Sequence, residues 1–87
     1  MTQATAVTVR IQCFAQLRDR LGQSEWSVTL PTASTGREVL RALRERYPSA
    51  APLLDVSRLA VNWDYVSEER IVQDGDNVAI IPPVSGG

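Results

Sequence analysis

The 87-residue sequence has no histidine, no lysine and a single cysteine, Cys13. Without histidine, the common zinc clusters and the Ser-His and Cys-His nucleophile pairs are excluded within the chain. One cysteine cannot close an internal disulfide, so nothing marks an oxidising compartment. All nine basic residues are arginine. Codon usage in an Ala-, Val- and Arg-rich genome accounts for that bias, yet it has a chemical corollary: no side-chain amine can accept an isopeptide bond. No apolar run approaches the ~18 residues of a membrane helix. The opening MTQATAVTVR lacks the basic-then-apolar order of a secretory signal. A cytoplasmic location is the expectation. A net charge of −1 gives no drive toward nucleic acid or anionic membranes.

What is present fits one domain. The 44% hydrophobic and 22% charged shares are those of an ordinary globular chain and not of a disordered one. Residues 1–6 are small and polar and are expected to be frayed. In VTVRIQC (7–13), Val7, Val9, Ile11 and Cys13 alternate with Thr8, Arg10 and Gln12, which predicts a half-buried strand. In FAQLRDRLG (14–22) the period changes: Phe14, Leu17 and Leu21 predict a short helix closed by Gly22. EWSVTL (25–30) alternates again up to Pro31 and is expected to pair antiparallel with the first strand.

The clearest helix lies in TGREVLRALRERYP (35–48). Thr35 and Glu38 have the spacing of a capping box, and Val39, Leu40, Leu43 and Tyr47 make an apolar stripe. Arg37, Arg41 and Arg44 occupy the other face, as a solvated surface or a dock for an acidic patch. Pro48 is expected to stop the helix, and a loop with a short apolar piece at Leu53 and Leu54 to come after it. LAVNW (59–63) predicts a short strand, 62–65 a turn, RIV (70–72) a weak strand and Asp74-Gly75-Asp76 a tight turn. NVAII (77–81) lacks alternation and predicts a strand buried on both faces, at the centre of a sheet.

This order predicts an α+β domain over residues 1–81 with a β-grasp, ubiquitin-like arrangement. Four to five strands form a mixed sheet on one main helix, with a short extra helix after the first strand. The first and last strands become parallel central neighbours, so the chain leaves the domain from the middle of the sheet.

Candidate chemistry is sparse. Cys13 is in register with core positions and is expected to act as a small buried hydrophobe. The acidic residues Glu68, Glu69, Asp74 and Asp76 fall in predicted turns, where turn formation explains them better than acid–base work. The remaining feature is IIPPVSGG (80–87). Pro82 and Pro83 cannot donate to a ladder, so they end the strand and hold the next few residues extended. Residues 82–87 form a tail that reaches roughly 20 Å at ~3.3 Å per residue. Gly86 and Gly87 make a tip without side chains, suited to a narrow channel in another protein. The functional group of that tip is the Gly87 α-carboxylate, ionised at neutral pH with an ordinary pKa of about 3.3–3.7. A carboxylate is a poor electrophile and needs activation, most simply as an acyl-adenylate formed from ATP.

Three stretches carry a family resemblance: FAQLRDRLG, AVNWDYV and IVQDGDNVAIIPPVSGG. In order and spacing they resemble the small, sulfur-carrying subunits of molybdopterin synthase across residues 7–87. Those subunits hold a polar residue where this chain has Trp63. The resemblance implies the β-grasp fold and a function. Gly87 would be adenylated by an E1-like activating enzyme using ATP, and sulfur from a persulfide donor would displace AMP to leave a thiocarboxylate. Pro82, Pro83, Val84 and Ser85 would then lead Gly86 and Gly87 into the large synthase subunit, where cyclic pyranopterin monophosphate receives sulfur. The small subunit binds no cofactor or metal itself, and the family assembly is a heterotetramer. Neighbouring readings are a carrier for thiamine, tRNA thiolation or cysteine, a ubiquitin-like protein modifier, or a β-grasp interaction module with an incidental tail.

Overall fold

Strand β1 (Ala6–Cys13) turns Val7, Val9, Ile11 and Cys13 into the core, as the β-branched alternation requires. The computed structural model describes residues 5–83. Within it, β1 already pairs at Ala6, opposite Pro31, and the Thr5 carbonyl accepts the Thr32 N–H at 3.1 Å. Helix α1 (Ala15–Leu21) comes directly after and buries Leu17 and Leu21. Gly22 closes it in the left-handed conformation, φ +76°, donating its N–H to the Arg18 carbonyl at 2.9 Å. Phe14, grouped with those leucines by spacing, instead precedes the helix on extended backbone and is 40% exposed. The strand has to end before the helix can start, and the residue at that corner belongs to neither apolar stripe.

Strand β2 (Glu25–Pro31) pairs antiparallel with β1, Val28 opposite Val9 and Trp26 opposite Ile11. Helix α2 (Gly36–Arg46) has the expected capping box. The Glu38 carboxylate accepts from both the Thr35 backbone N–H, at 3.2 Å, and the Thr35 hydroxyl. These hydrogen bonds hold its pKa below the usual carboxylate range. Two further free donors at the helix start are satisfied by the loop before residue 71: Gly36 N–H by the Arg70 carbonyl and Arg37 N–H by Glu68, both at 2.9 Å. Val39, Leu40 and Leu43 are buried, and Tyr47 at the C-cap packs edge-on against Trp26, centroids 5.9 Å apart.

The prolines after α2 start structure as well as stopping it. A 3₁₀ turn (Pro48–Ala50) leads into helix α3 (Ala51–Asp55), with Pro48 and Pro52 each in a first turn, where a missing N–H costs nothing. The stretch expected to be a loop is therefore helical, and Leu54 is fully buried. Strands β3 (Arg58–Val61) and β4 (Asp64–Val66) form a hairpin across the two-residue turn Asn62-Trp63. Residues 64 and 65, expected within a turn, pair with Val61 and Ala60. Asn62 and Trp63 both have positive φ, +51° and +73°, the sign that a type I′ hairpin turn demands. The weak strand expected at 70–72 is reduced to one bridge, Thr35 to Ile71. Val72 is buried, with its N–H donating to the Ser34 carbonyl at 2.9 Å.

Strand β5 (Asn77–Ile81) completes a five-stranded sheet in the order β2-β1-β5-β3-β4. It runs parallel to β1 and antiparallel to β3. The helices cover the sheet face that carries Ile11, Val78 and Ile80, and their own Val39, Leu43 and Leu54 join it in one core cluster. This is the anticipated β-grasp, with an additional short helix. No helix of the described residues is long and apolar enough to cross a membrane.

Candidate functional site at the root of the C-terminal tail

Strand β5 is locked at its start and released at its end. At the start, the Asp76 carboxylate, 8% exposed, accepts the Asn62 amide at 3.0 Å and the Gln73 N–H at 2.8 Å. Asn77 donates its N–H to the Asn62 side-chain carbonyl at 3.0 Å and its amide to the Gln12 side chain at 3.1 Å. Asp74 accepts the Thr8 N–H at 2.7 Å, and Gly75, at φ +86°, donates to the Thr8 carbonyl at 2.9 Å. The acidic residues of the Asp74-Gly75-Asp76 turn thus fasten β5 to β1 and to the β3–β4 turn. Their role is structural, in keeping with turn formation.

Beyond this lock, Val78, Ala79 and Ile80 are each 0% exposed. Ile80 lies between Cys13 of β1 and Leu59 of β3, and Ile81 pairs with Arg58. Pro82 is buried against the domain and Pro83 is exposed, so the chain clears the surface at Pro83. Val84, Ser85, Gly86 and Gly87 lie outside the described residues. Pro82 and Pro83 supply no N–H, so pairing stops at Ile81 for a covalent reason.

The surroundings of this root are set by register. Cys13, Ile80, Leu59 and Val66 point toward the helices. Their neighbours one residue along, Ile81, Arg58 and Tyr65, therefore face the other way, onto the uncovered side of the sheet. Tyr65 is 59% exposed and Phe14, next after Cys13, is 40% exposed. The Arg58 guanidinium lies 4.3 Å from the Tyr65 ring centroid. A partly apolar collar with one cation therefore surrounds the point of exit. Sequence reasoning singles out none of Phe14, Arg58 and Tyr65 as a site residue. The available signal is an aromatic residue in each of the two motifs, FAQLRDRLG and AVNWDYV.

Away from the root there is little reactive chemistry. Cys13 is 2% exposed, and burial pushes its thiol up to about 12. At pH 7 that leaves a thiolate fraction on the order of 10⁻⁵, too little for a nucleophile. Two of the three arginines on the outer face of α2 are used within the chain: Arg37 holds Glu69 and Arg44 holds Asp55, both at 2.8 Å. An open cleft of about 480 Å³ lies on the uncovered sheet face between Trp63, Gln12 and Asn77, at the opposite end of β5 from the exit. Its one cation, Arg10, is held by Glu25 at 3.3 Å.

The family model described as the ThiS family matches residues 11–87. This chain belongs to the ThiS family. The molybdopterin synthase sulfur carrier subunit of Dictyostelium discoideum is 38% identical over 81 residues, covering 90% of this chain and 94% of that one. That of Arabidopsis thaliana is 34% identical over 83 residues, covering 95% and 86%. Among solved structures, a Pyrococcus furiosus protein described as molybdopterin converting factor, subunit 1, superposes with a TM-score of 0.82 at 29% identity, covering 90% of this chain and 99% of that one. The small archaeal modifier protein 1 of Haloferax volcanii shares the fold, with a TM-score of 0.82 at 21% identity over 90% of this chain and 99% of that one. A Helicobacter pylori complex of subunits 1 and 2 of molybdopterin-converting factor contains a chain of the same fold, with a TM-score of 0.67 at 22% identity over 93% and 100%. In this ThiS-family chain, the motifs AVNWDYV and IVQDGDNVAIIPPVSGG resolve into the β5 lock and the tail root.

Proposed function

We propose that this chain is the sulfur carrier of molybdenum cofactor synthesis and that Gly87 is the carrying residue. The observation that supports it most is the sealed state of Cys13. A protein that carries sulfur on a side chain needs an accessible thiolate for a persulfide, and the one thiol here is buried and protonated. The C-terminal carboxylate is then the place left for the cargo.

The chemistry balances without any catalytic group on this chain. The Gly87 carboxylate attacks the α-phosphorus of ATP on an E1-like activating enzyme, and pyrophosphate leaves. The terminal sulfur of a persulfide donor attacks the acyl-adenylate and expels AMP. A second thiol reduces the resulting acyl disulfide, leaving the thiocarboxylate. The loaded tail enters the large synthase subunit and gives up sulfur to cyclic pyranopterin monophosphate, and two such deliveries build the dithiolene of molybdopterin. The fold contributes a rigid root: β5 fixed on both edges, with the ladder ending at Ile81 and Pro83 exposed. The relatives' shared designation as sulfur carrier subunits and the two-subunit Helicobacter assembly support the pathway and the partner.

The test is intact-mass analysis after co-expression with the activating enzyme and a sulfur source. The full chain is expected to gain the mass of one oxygen-for-sulfur exchange, localised to Gly87, and a chain lacking Gly87 is expected to gain nothing. An unchanged mass under sulfur-replete conditions would refute the proposal.

A further inference from the structure

We propose that Arg58, its guanidinium over the Tyr65 ring beside the tail root, is the recognition point for a carboxylate on the large synthase subunit at the mouth of the channel that takes the tail. The proposal rests on the tail-insertion reading above and adds the chemistry of the contact outside the channel.

Three observations carry it. The first is position. Arg58 pairs with Ile81, the last residue of β5 in the ladder, so its side chain stands beside the root, on the face that the helices leave uncovered. A protein that accepts the tail has to lay its surface across this point. The second is availability. Arg10, Arg37 and Arg44 each hold a carboxylate of their own chain at 3.3 Å or less. Among the described residues, no carboxylate lies within ion-pair distance of Arg58. A guanidinium stays charged at any physiological pH, so this is a standing positive charge without a counter-charge. The third is preorganisation. The guanidinium carbon lies over the Tyr65 ring, 4.3 Å from its centroid, which places the cation, and a guanidinium presents a planar N–H fork. A planar fork of that kind matches a carboxylate bidentately.

The neighbours strengthen the pair once it forms. Phe14 and Tyr65 are exposed and Ile81 is half-buried near the root, and docking would remove the water that screens the guanidinium. The arginine over Tyr65 thus offers the partner a charged contact beside the tail.

The test uses the full chain and the large synthase subunit of the same organism. Binding is measured by calorimetry for wild type, Arg58→Met, Arg58→Lys and Arg58→Glu across a salt series, with thermal melts as a check on folding. Arg58→Met keeps the apolar stem and is expected to weaken binding about tenfold and to flatten the salt dependence. Arg58→Lys keeps charge without the fork and is expected to fall between Met and wild type. Arg58→Glu places like charges together and is expected to lose about a hundredfold. All melts are expected to match wild type. Wild-type affinity in Arg58→Glu, or a loss in Arg58→Met that is the same at low and high salt, would overturn the proposal and leave tail loading intact. If wild type itself fails to bind the large subunit, the carrier reading falls and this one with it.

Discussion

Replacing Cys13 by valine should flatten the alkaline limb of this protein's stability curve. The thiol has an ordinary value of 9.0, and burial raises it to about 12 in the folded chain. Between those values the unfolded chain has released a proton that the folded chain still holds. Stability therefore falls as pH rises, by about 1.4 kcal/mol per unit, and the loss approaches about 4 kcal/mol near pH 12. Below pH 9 both states are protonated, and the contribution is complete and flat. The assay is urea unfolding of wild type and Cys13→Val from neutral pH to about pH 11. The quantity of interest is the difference between the two proteins at each pH, in which every other titrating group cancels. The chain's lack of lysine keeps groups with ordinary values near 10.4 out of this window. Native wild type should also resist thiol alkylation that proceeds once urea unfolds it. A difference that does not change with pH would show that the folded thiol ionises as freely as the unfolded one. The case against Cys13 as a seat for the sulfur would then rest on its burial alone.

Three further perturbations probe the frame that holds the tail. Gly36→Ala would put a Cβ 2.6 Å from Leu59 Cδ1, and Leu59 is only 3% exposed, so stability should drop by roughly 1–3 kcal/mol in denaturant titration. An unshifted midpoint would mean that Leu59 has another rotamer to take. Trp63→Gly should raise the melting temperature through a gain of about 1 kcal/mol, because glycine accepts φ +73° without the penalty an L side chain meets there. A lower melting temperature would show that indole contacts outweigh the backbone term. Asn62→Ala leaves Asp76 and the Asn77 N–H each short of a partner, which should cost roughly 1–3 kcal/mol. It should speed amide exchange at Asn77 and Val78 in particular, and uniform exchange along β5 would count against the lock.

Periodicity makes the frame legible and leaves its corners obscure. β1, β2, α2 and β5 carry long signals, and their burial matches the pattern, down to the unalternating β5 at the sheet centre. The misread pieces are short and governed by neighbours. Pro48 and Pro52 look like breakers in sequence, yet each also fits a first helical turn, and only the seat of Leu54 in the core decides between the two. Asp64–Val66 is too short to show a period, and Trp63 hides the hairpin because glycine is the usual marker at such a position. At the site, the chemistry proposed for the tail comes from its last residues, which lie outside the described residues. The collar is not legible in the sequence, because Arg58 on β3, Tyr65 on β4 and Phe14 just after β1 are brought to the root by strand register.

The sheet places its last-made strand in the middle. β5 is synthesised after every other element, yet β1 and β3 have no edge-to-edge contact without it. A nascent or truncated chain that lacks β5 is left with two separate antiparallel pairs, β1–β2 and β3–β4, and exposed apolar faces. The residues after β5 emerge later still. On the carrier reading proposed above, a copy cut short before β5 lacks both the closed sheet and the Gly87 terminus, so one lesion removes the frame and the cargo site together.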